Sequence, residues 1–122
     1  MTTTEQRQQA EAKGRRAERL CAGLLRLKGY RILARNWRVP MGEADIIASR
    51  GKVLAFVEVK SRMSREDALY AVGEKQRQRI TQAANAWMGQ HPDCANMHVR
   101  FDVMAVAPGK WPKHIHAAWG LD

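Results

Sequence analysis

Two hydrophobic rhythms alternate along the chain. From about Lys13, the residues Ala17, Leu20, Cys21, Leu24 and Leu25 recur at i, i+3, i+4, i+7 and i+8, the stripe of an amphipathic helix. Gly29, just after Lys28, supplies its stop. From Tyr30 to Arg38 the rhythm loosens to Ile32, Ala34 and Trp37 among arginines, which predicts a strand near a sheet edge. Pro40, Met41 and Gly42 turn the chain into a second strand, Glu43 to Ser49. Arg50-Gly51-Lys52 is so short a link that the third strand, Val53 to Lys60, is expected to return antiparallel. The polar stretch Ser61 to Glu66 then leaves the sheet. Helical spacing resumes between about Glu74 and Met88 with Ile80, Ala83, Ala84 and Trp87, and His91-Pro92-Asp93 ends it. His98 to Val106 alternates again, and after the Pro108-Gly109 turn Ile115 to Trp119 predicts a short last strand.

A helix between the third and fourth strands permits a parallel pairing there. The order α, three β, α, β, β therefore describes an α/β sandwich, a mixed sheet covered by helices. The polar first dozen residues are read as a lead-in that frays.

Length sets one domain of 122 residues, large enough to bury a core without disulfides. Charge changes the picture more. Lys and Arg number 21 against 12 Asp and Glu, a net +9, the footprint of a partner rich in phosphates. No long apolar span is present, and the opening residues lack the apolar run of a secretion signal. No membrane association and a cytoplasmic location are expected. Cys21 and Cys94 are too few and too separated for a disulfide framework or a zinc site. His114 and His116 stand at strand spacing and are read as part of a solvated edge strand in preference to metal ligands.

Candidate chemistry sits at the end of the third strand. Glu58 and Lys60 share a strand face after an apolar run. A carboxylate there needs compensation, either an ion pair with Lys60 or a bound divalent cation. A hairpin can bring Asp45 close to Glu58, and two converging carboxylates raise each other's pKa unless a cation lies between them. Oxygen-rich sites of this kind select Mg²⁺ or Mn²⁺. Lys60 would then orient or deprotonate the attacking water. These are the parts of a phosphodiesterase.

Gly42-Glu43-Ala44-Asp45-Ile46-Ile47, followed by Phe56-Val57-Glu58-Val59-Lys60-Ser61-Arg62, resembles the paired signature of the YraN family. These bacterial proteins are predicted members of the PD-(D/E)XK nuclease superfamily, distantly similar to archaeal Holliday-junction resolvases. The likeness runs from Gly14 to about Val106 and includes Arg35-Asn36-Trp37-Arg38, Lys75 and Arg100-Phe101-Asp102-Val103. Ala44 stands where the superfamily name has proline. The resemblance implies a restriction-endonuclease-like fold and puts metal binding and water positioning on Asp45, Glu58 and Lys60. It adds the Val59 carbonyl as a further metal ligand and Glu18 of the first helix as an acidic partner. It also implies a metal-dependent endonuclease acting on structured or branched DNA. Two alternatives stay open: a non-catalytic nucleic-acid-binding module, or a nuclease silent without a partner.

Several side chains carry two readings. Glu18 borders the apolar stripe and is either a site residue or a boundary charge. Glu43 is a neighbour of the site or a partner for Arg15 or Arg62. Asp102 faces the site or, the favoured reading, serves structure. Lys75, Gln76 and Arg79 on the second helix, with Arg62 and Arg15, form a phosphate-binding surface or a solvated one. Trp37 and Trp87 stack on bases or, more commonly for large aromatics, fill the core. A homodimer would let two sites address two strands.

Overall fold

A computed structural model describes residues 3–120. The first helix, α1 (Thr4–Leu27), begins earlier than its apolar stripe. Thr3 accepts the Gln6 amide at 3.1 Å, and Gln6 Oε1 accepts the Thr3 amide at 2.8 Å. This reciprocal cap, absent from a reading by hydrophobicity alone, carries helix into the segment expected to fray. Residues 1 and 2 lie outside the described residues.

The inward face of α1 is Ala17, Glu18, Cys21, Ala22 and Leu25. It is rotated from the expected stripe: Leu20 is 43% exposed while Glu18 is buried. The helix stops at Lys28, and Gly29 continues at φ 91°, a left-handed conformation that suits glycine.

Five strands follow as β1 (Arg31–Val39), β2 (Gly42–Arg50), β3 (Val53–Ser61), β4 (His98–Val106) and β5 (Lys113–Trp119). They form one sheet in chain order, with β3 and β4 parallel from Val53↔His98 to Ser61↔Val106 and the other pairs antiparallel. The mixed α/β sheet, the hairpin and the parallel crossover are as the sequence predicts. Between β3 and β4 run two helices rather than one, α2 (Arg65–Tyr70) and α3 (Glu74–Gln90). Ser64 caps α2 by accepting the Asp67 amide at 3.1 Å. Only Ala68 of that helix is buried, so no apolar period announces it.

Strand alternation sends Leu54 and Phe56 to one face and Ala55 and Val57 to the other. On the first face Ile80, Ala83, Ala84 and Trp87 of α3 complete a core with Ile47 and Phe101. On the second, Cys21, Ala22 and Leu25 of α1 pack with Ile46, Ala48 and Met104. Trp37 meets Trp87 edge-on at 5.3 Å within the α3 core, so both tryptophans take their structural reading. No helix among the described residues is long and apolar enough to cross a membrane.

Candidate active site

The β2–β3 ladder runs from Arg50↔Val53 to Ile46↔Val57 and ends there. Ala44 packs in the α3-side core and Ile46 in the α1-side core, although an unbroken strand puts residues two apart on one face. The alternation slips at Asp45. Its Oδ2 accepts the Val59 amide at 2.8 Å, so a side chain replaces the backbone partner that a continuing ladder would supply. Asp45 thereby looks toward α1 and comes within hydrogen-bonding reach of Glu58.

Glu58 is 2% exposed. Its Oε1 lies 3.2 Å from Lys60 Nζ and accepts Gln76 Nε2 at 3.2 Å. Its Oε2 is buried with no donor. The Asp45 carboxyl within its reach is also an acceptor unless one of the two holds a proton.

Glu18 closes the third side. Its Oε1 accepts Arg35 Nε and Asn36 Nδ2, each at 3.2 Å. Asn36 adopts φ 48°, a left-handed backbone that asparagine tolerates better than most residues. Arg35 and Asn36, neighbours in an edge strand, thus both serve one carboxylate. The resemblance included them, but nothing in the residues themselves told of this role.

All three carboxyl groups are raised, each mainly by burial. Burial lifts the Glu58 pKa to about 8, helped by the Asp45 charge and opposed by Lys60. Burial also raises Asp45, against hydrogen bonds from the Val59 amide and with Glu58 and the charge of Lys60. For Glu18, burial and then Asp45 act upward, with Arg35 and Asn36 opposing. A cluster of acids each pushed toward its neutral form is a cluster short of positive charge.

Glu11, Gly14, Arg15, Glu18, Asn36, Arg38, Asp45 and Val59 line a cleft of about 440 Å³. Arg15 and Arg38, both exposed, flank the acids. A second hollow, on the other side of Gly14, is bounded by Lys13, Lys60 and Arg62. Of the expected phosphate contacts, Arg15 and Arg62 therefore border the site and Lys75 is exposed on α3, whereas Gln76 turns in to Glu58.

Glu43 pairs with neither Arg15 nor Arg62: it lies 3.6 Å from Arg38 Nε and 3.8 Å from Arg79 Nε. The reason is register, since Arg38 pairs directly across from Glu43.

Asp102 is structural. Its Oδ1 accepts Arg100 Nε and the Ala117 amide, and its Oδ2 accepts Arg100 Nη2 and meets His114 Nε2. Asp102, His114 and His116 bring three ligand atoms within 4.8 Å of one another, but both Asp102 oxygens are already engaged. Lys28 Nζ bonds His114 Nδ1, which fixes the Nε2–H tautomer and leaves that ring without a free lone pair. The His114 side chain is correspondingly buried, 5% exposed, and departs from the solvated edge position expected, whereas His116 is exposed on the edge strand as expected.

A model of the uncharacterised protein family UPF0102 matches residues 17–106. The chain is 47% identical over 116 residues to a UPF0102 protein of Maricaulis maris, an alignment covering 95% of this chain and 91% of that one. A UPF0102 protein of Nitrobacter winogradskyi is 53% identical over 106 residues, covering 87% and 90% respectively. One from Bradyrhizobium sp. (strain ORS 278) is 49% identical over 118 residues, covering 97% and 84%. The matched stretch carries Glu18, Arg35, Asn36, Asp45, Glu58, Lys60 and Gln76, and the chain belongs to UPF0102, the YraN family.

Proposed function

We propose that this protein is a metal-dependent endonuclease hydrolysing phosphodiester bonds of nucleic acid, with structured or branched DNA as the favoured substrate. The observation that carries the reading is Glu58. One of its oxygens is anchored by Lys60 and Gln76, and the other is buried without a donor within reach of a second carboxyl group. A structural ion pair would not need a second acid there, and a buried unpaired oxygen is costly.

The donor set fits a hard cation, because every candidate ligand is oxygen. Asp45, Glu58 and the Val59 carbonyl, with Glu18 beside them, would hold Mg²⁺ or Mn²⁺. Bound there, the ion supplies Lewis acidity, easing ionisation of water and neutralising phosphate charge.

The chain's own groups do the rest. Lys60, tethered to Glu58, is held where its ammonium meets the negative charge that develops on phosphate or handles the proton of the attacking water. Gln76 fixes the Glu58 rotamer from α3. Arg35 and Asn36 keep Glu18 pointed into the cleft. Arg15, Arg38 and Arg62 offer charge to the flanking backbone without reading bases.

The direct test is cleavage with Mn²⁺ of duplex, single-stranded, flapped and four-way DNA, with Lys60→Ala beside the wild type. The variant is expected to keep nucleic-acid affinity within a few-fold and lose cleavage by roughly 10² or more. An equal fall in affinity and rate would reduce Lys60 to a phosphate clamp.

A further inference from the structure

The turn between β4 and β5 displays a large aromatic side chain. Trp111 is 71% exposed, although burying an indole is among the larger apolar gains open to a fold. Its backbone is nevertheless fixed. Gly109 turns at φ 70°, Pro108 and Pro112 bracket the residue, and the Trp111 carbonyl accepts Arg65 Nη2 at 2.8 Å. An indole held out by a constrained backbone loses little freedom on binding, which favours a contact role.

Its place in the fold relates it to the acidic cleft. Because β3 and β4 are parallel, their C-terminal ends lie together at one end of the sheet, with Ser61 across from Val106. Next, the Arg62 amide donates to the Val106 carbonyl at 3.0 Å. The chain therefore leaves β4 beside Arg62, two residues beyond Lys60. Trp111 follows Val106 by five residues, which keeps its Cα within about 18 Å of that point.

Charge identifies the partner. Lys110 and Lys113 flank Trp111, no acidic residue occurs from Val103 to Gly120, and the connection after β3 adds Arg62 and Arg65. A protein partner would favour an aromatic set among apolar neighbours and few lysines. An aromatic face among cations suits a polyanion with exposed π faces, that is, nucleic acid with unpaired bases.

We propose that Trp111 is a base-stacking contact for a single-stranded segment of nucleic acid that passes the C-terminal ends of β3 and β4 beside Lys60 and Arg62. The proposal rests on the nuclease reading for the nature of the polymer, not for the contact. Bases inside a duplex are stacked on both faces and offer none to it, and only the terminal pairs leave one open.

The test is equilibrium binding by fluorescence anisotropy, with EDTA present to stop cleavage, over a salt series. Wild type, Trp111→Ala and Trp111→Phe are compared on a labelled single-stranded oligonucleotide and a blunt duplex. Trp111→Ala should bind the single strand about 5- to 150-fold more weakly, as expected for losing one base stack. Its duplex affinity should stay within about twofold and its salt slope unchanged, since the indole neutralises no phosphate. Trp111→Phe should recover most of the affinity. Equal single-strand binding by Trp111→Ala overturns the proposal, as does an equal loss on duplex. A change in sedimentation from dimer to monomer in Trp111→Ala also overturns it, because the residue then joins two copies of the chain. If the wild type binds neither nucleic acid, the nuclease reading fails too. If it binds and cleaves while Trp111→Ala is indifferent, only the stacking contact falls.

Discussion

Glu58 concentrates the energetics of the site in one side chain. Burial raises its pKa to about 8 from an ordinary 4.5, so the folded protein binds its proton more tightly than the unfolded chain does. The resulting stability is fully present below the ordinary value and is lost as pH rises through the folded one. Metal-free protein should therefore melt at progressively lower temperature between about pH 5 and pH 8, and Glu58→Gln should flatten that decline. Thermal melts over this range decide it, and an unchanged slope in Glu58→Gln would move the linkage elsewhere. Asp102 acts in a separate window. Burial pushes its pKa up, but His114, Arg100 and the Ala117 amide outweigh burial and hold it at about 2. Its contribution is present above the ordinary carboxylate value and is lost only as pH falls toward 2. The pairing of Glu58 with Lys60 was legible in the sequence because a strand that ends in opposite charges breaks a simple rule of burial, and the approach of Asp45 because a hairpin returns β3 beside β2. The inward turn of Glu18 was not. Helical spacing put Leu20 in the stripe, and only the packing of α1 on Ile46 and Val57 shows that the stripe is rotated toward the acid.

At the scale of elements, α3 matters by how closely it lies on β2. A Cβ on Gly42 would stand 2.1 Å from the Arg79 carbonyl oxygen and 2.7 Å from the Ala83 amide nitrogen. Both are helix backbone and cannot swing aside. Gly42 thus sets the docking depth that lets Gln76 reach Glu58. Gly42→Ala should cost about 3 kcal/mol or more, the upper range for overpacking a fixed contact. Gly23→Ala, in open space within α1, should instead stabilise by roughly 0.5 to 1 kcal/mol. Urea midpoints of the two variants check both signs, and a Gly42→Ala protein as stable as wild type would remove the close approach from the account. Pro40-Met41-Gly42 announced a turn, yet nothing local showed that its glycine faces a helix more than thirty residues away. Strands and the two long helices were readable from period. The short helix α2 and the first turns of α1 were not, because capping by Ser64 and Thr3 holds them with little apolar burial.

For the whole molecule, +9 is a statement about partners rather than fold. Lys75 is exposed on α3, whereas Arg79 is half-buried and already leans on Glu43 at 3.8 Å. If this flank of α3 holds phosphates, Lys75→Ala with Arg79→Ala should flatten the slope of log affinity against log salt by nearly one unit for each phosphate left unneutralised, with all sequences weakened alike. An unchanged slope would shift the footprint to Arg15, Arg35, Arg38 and Arg62. The central claim, that Asp45 and Glu58 share a divalent cation, is tested most directly by calorimetric titration of Mn²⁺ into the wild type, Asp45→Asn and Glu58→Gln. Saturable binding by the wild type, abolished in both variants, is the result expected. No binding by the wild type, or equal binding by all three proteins, would contradict it.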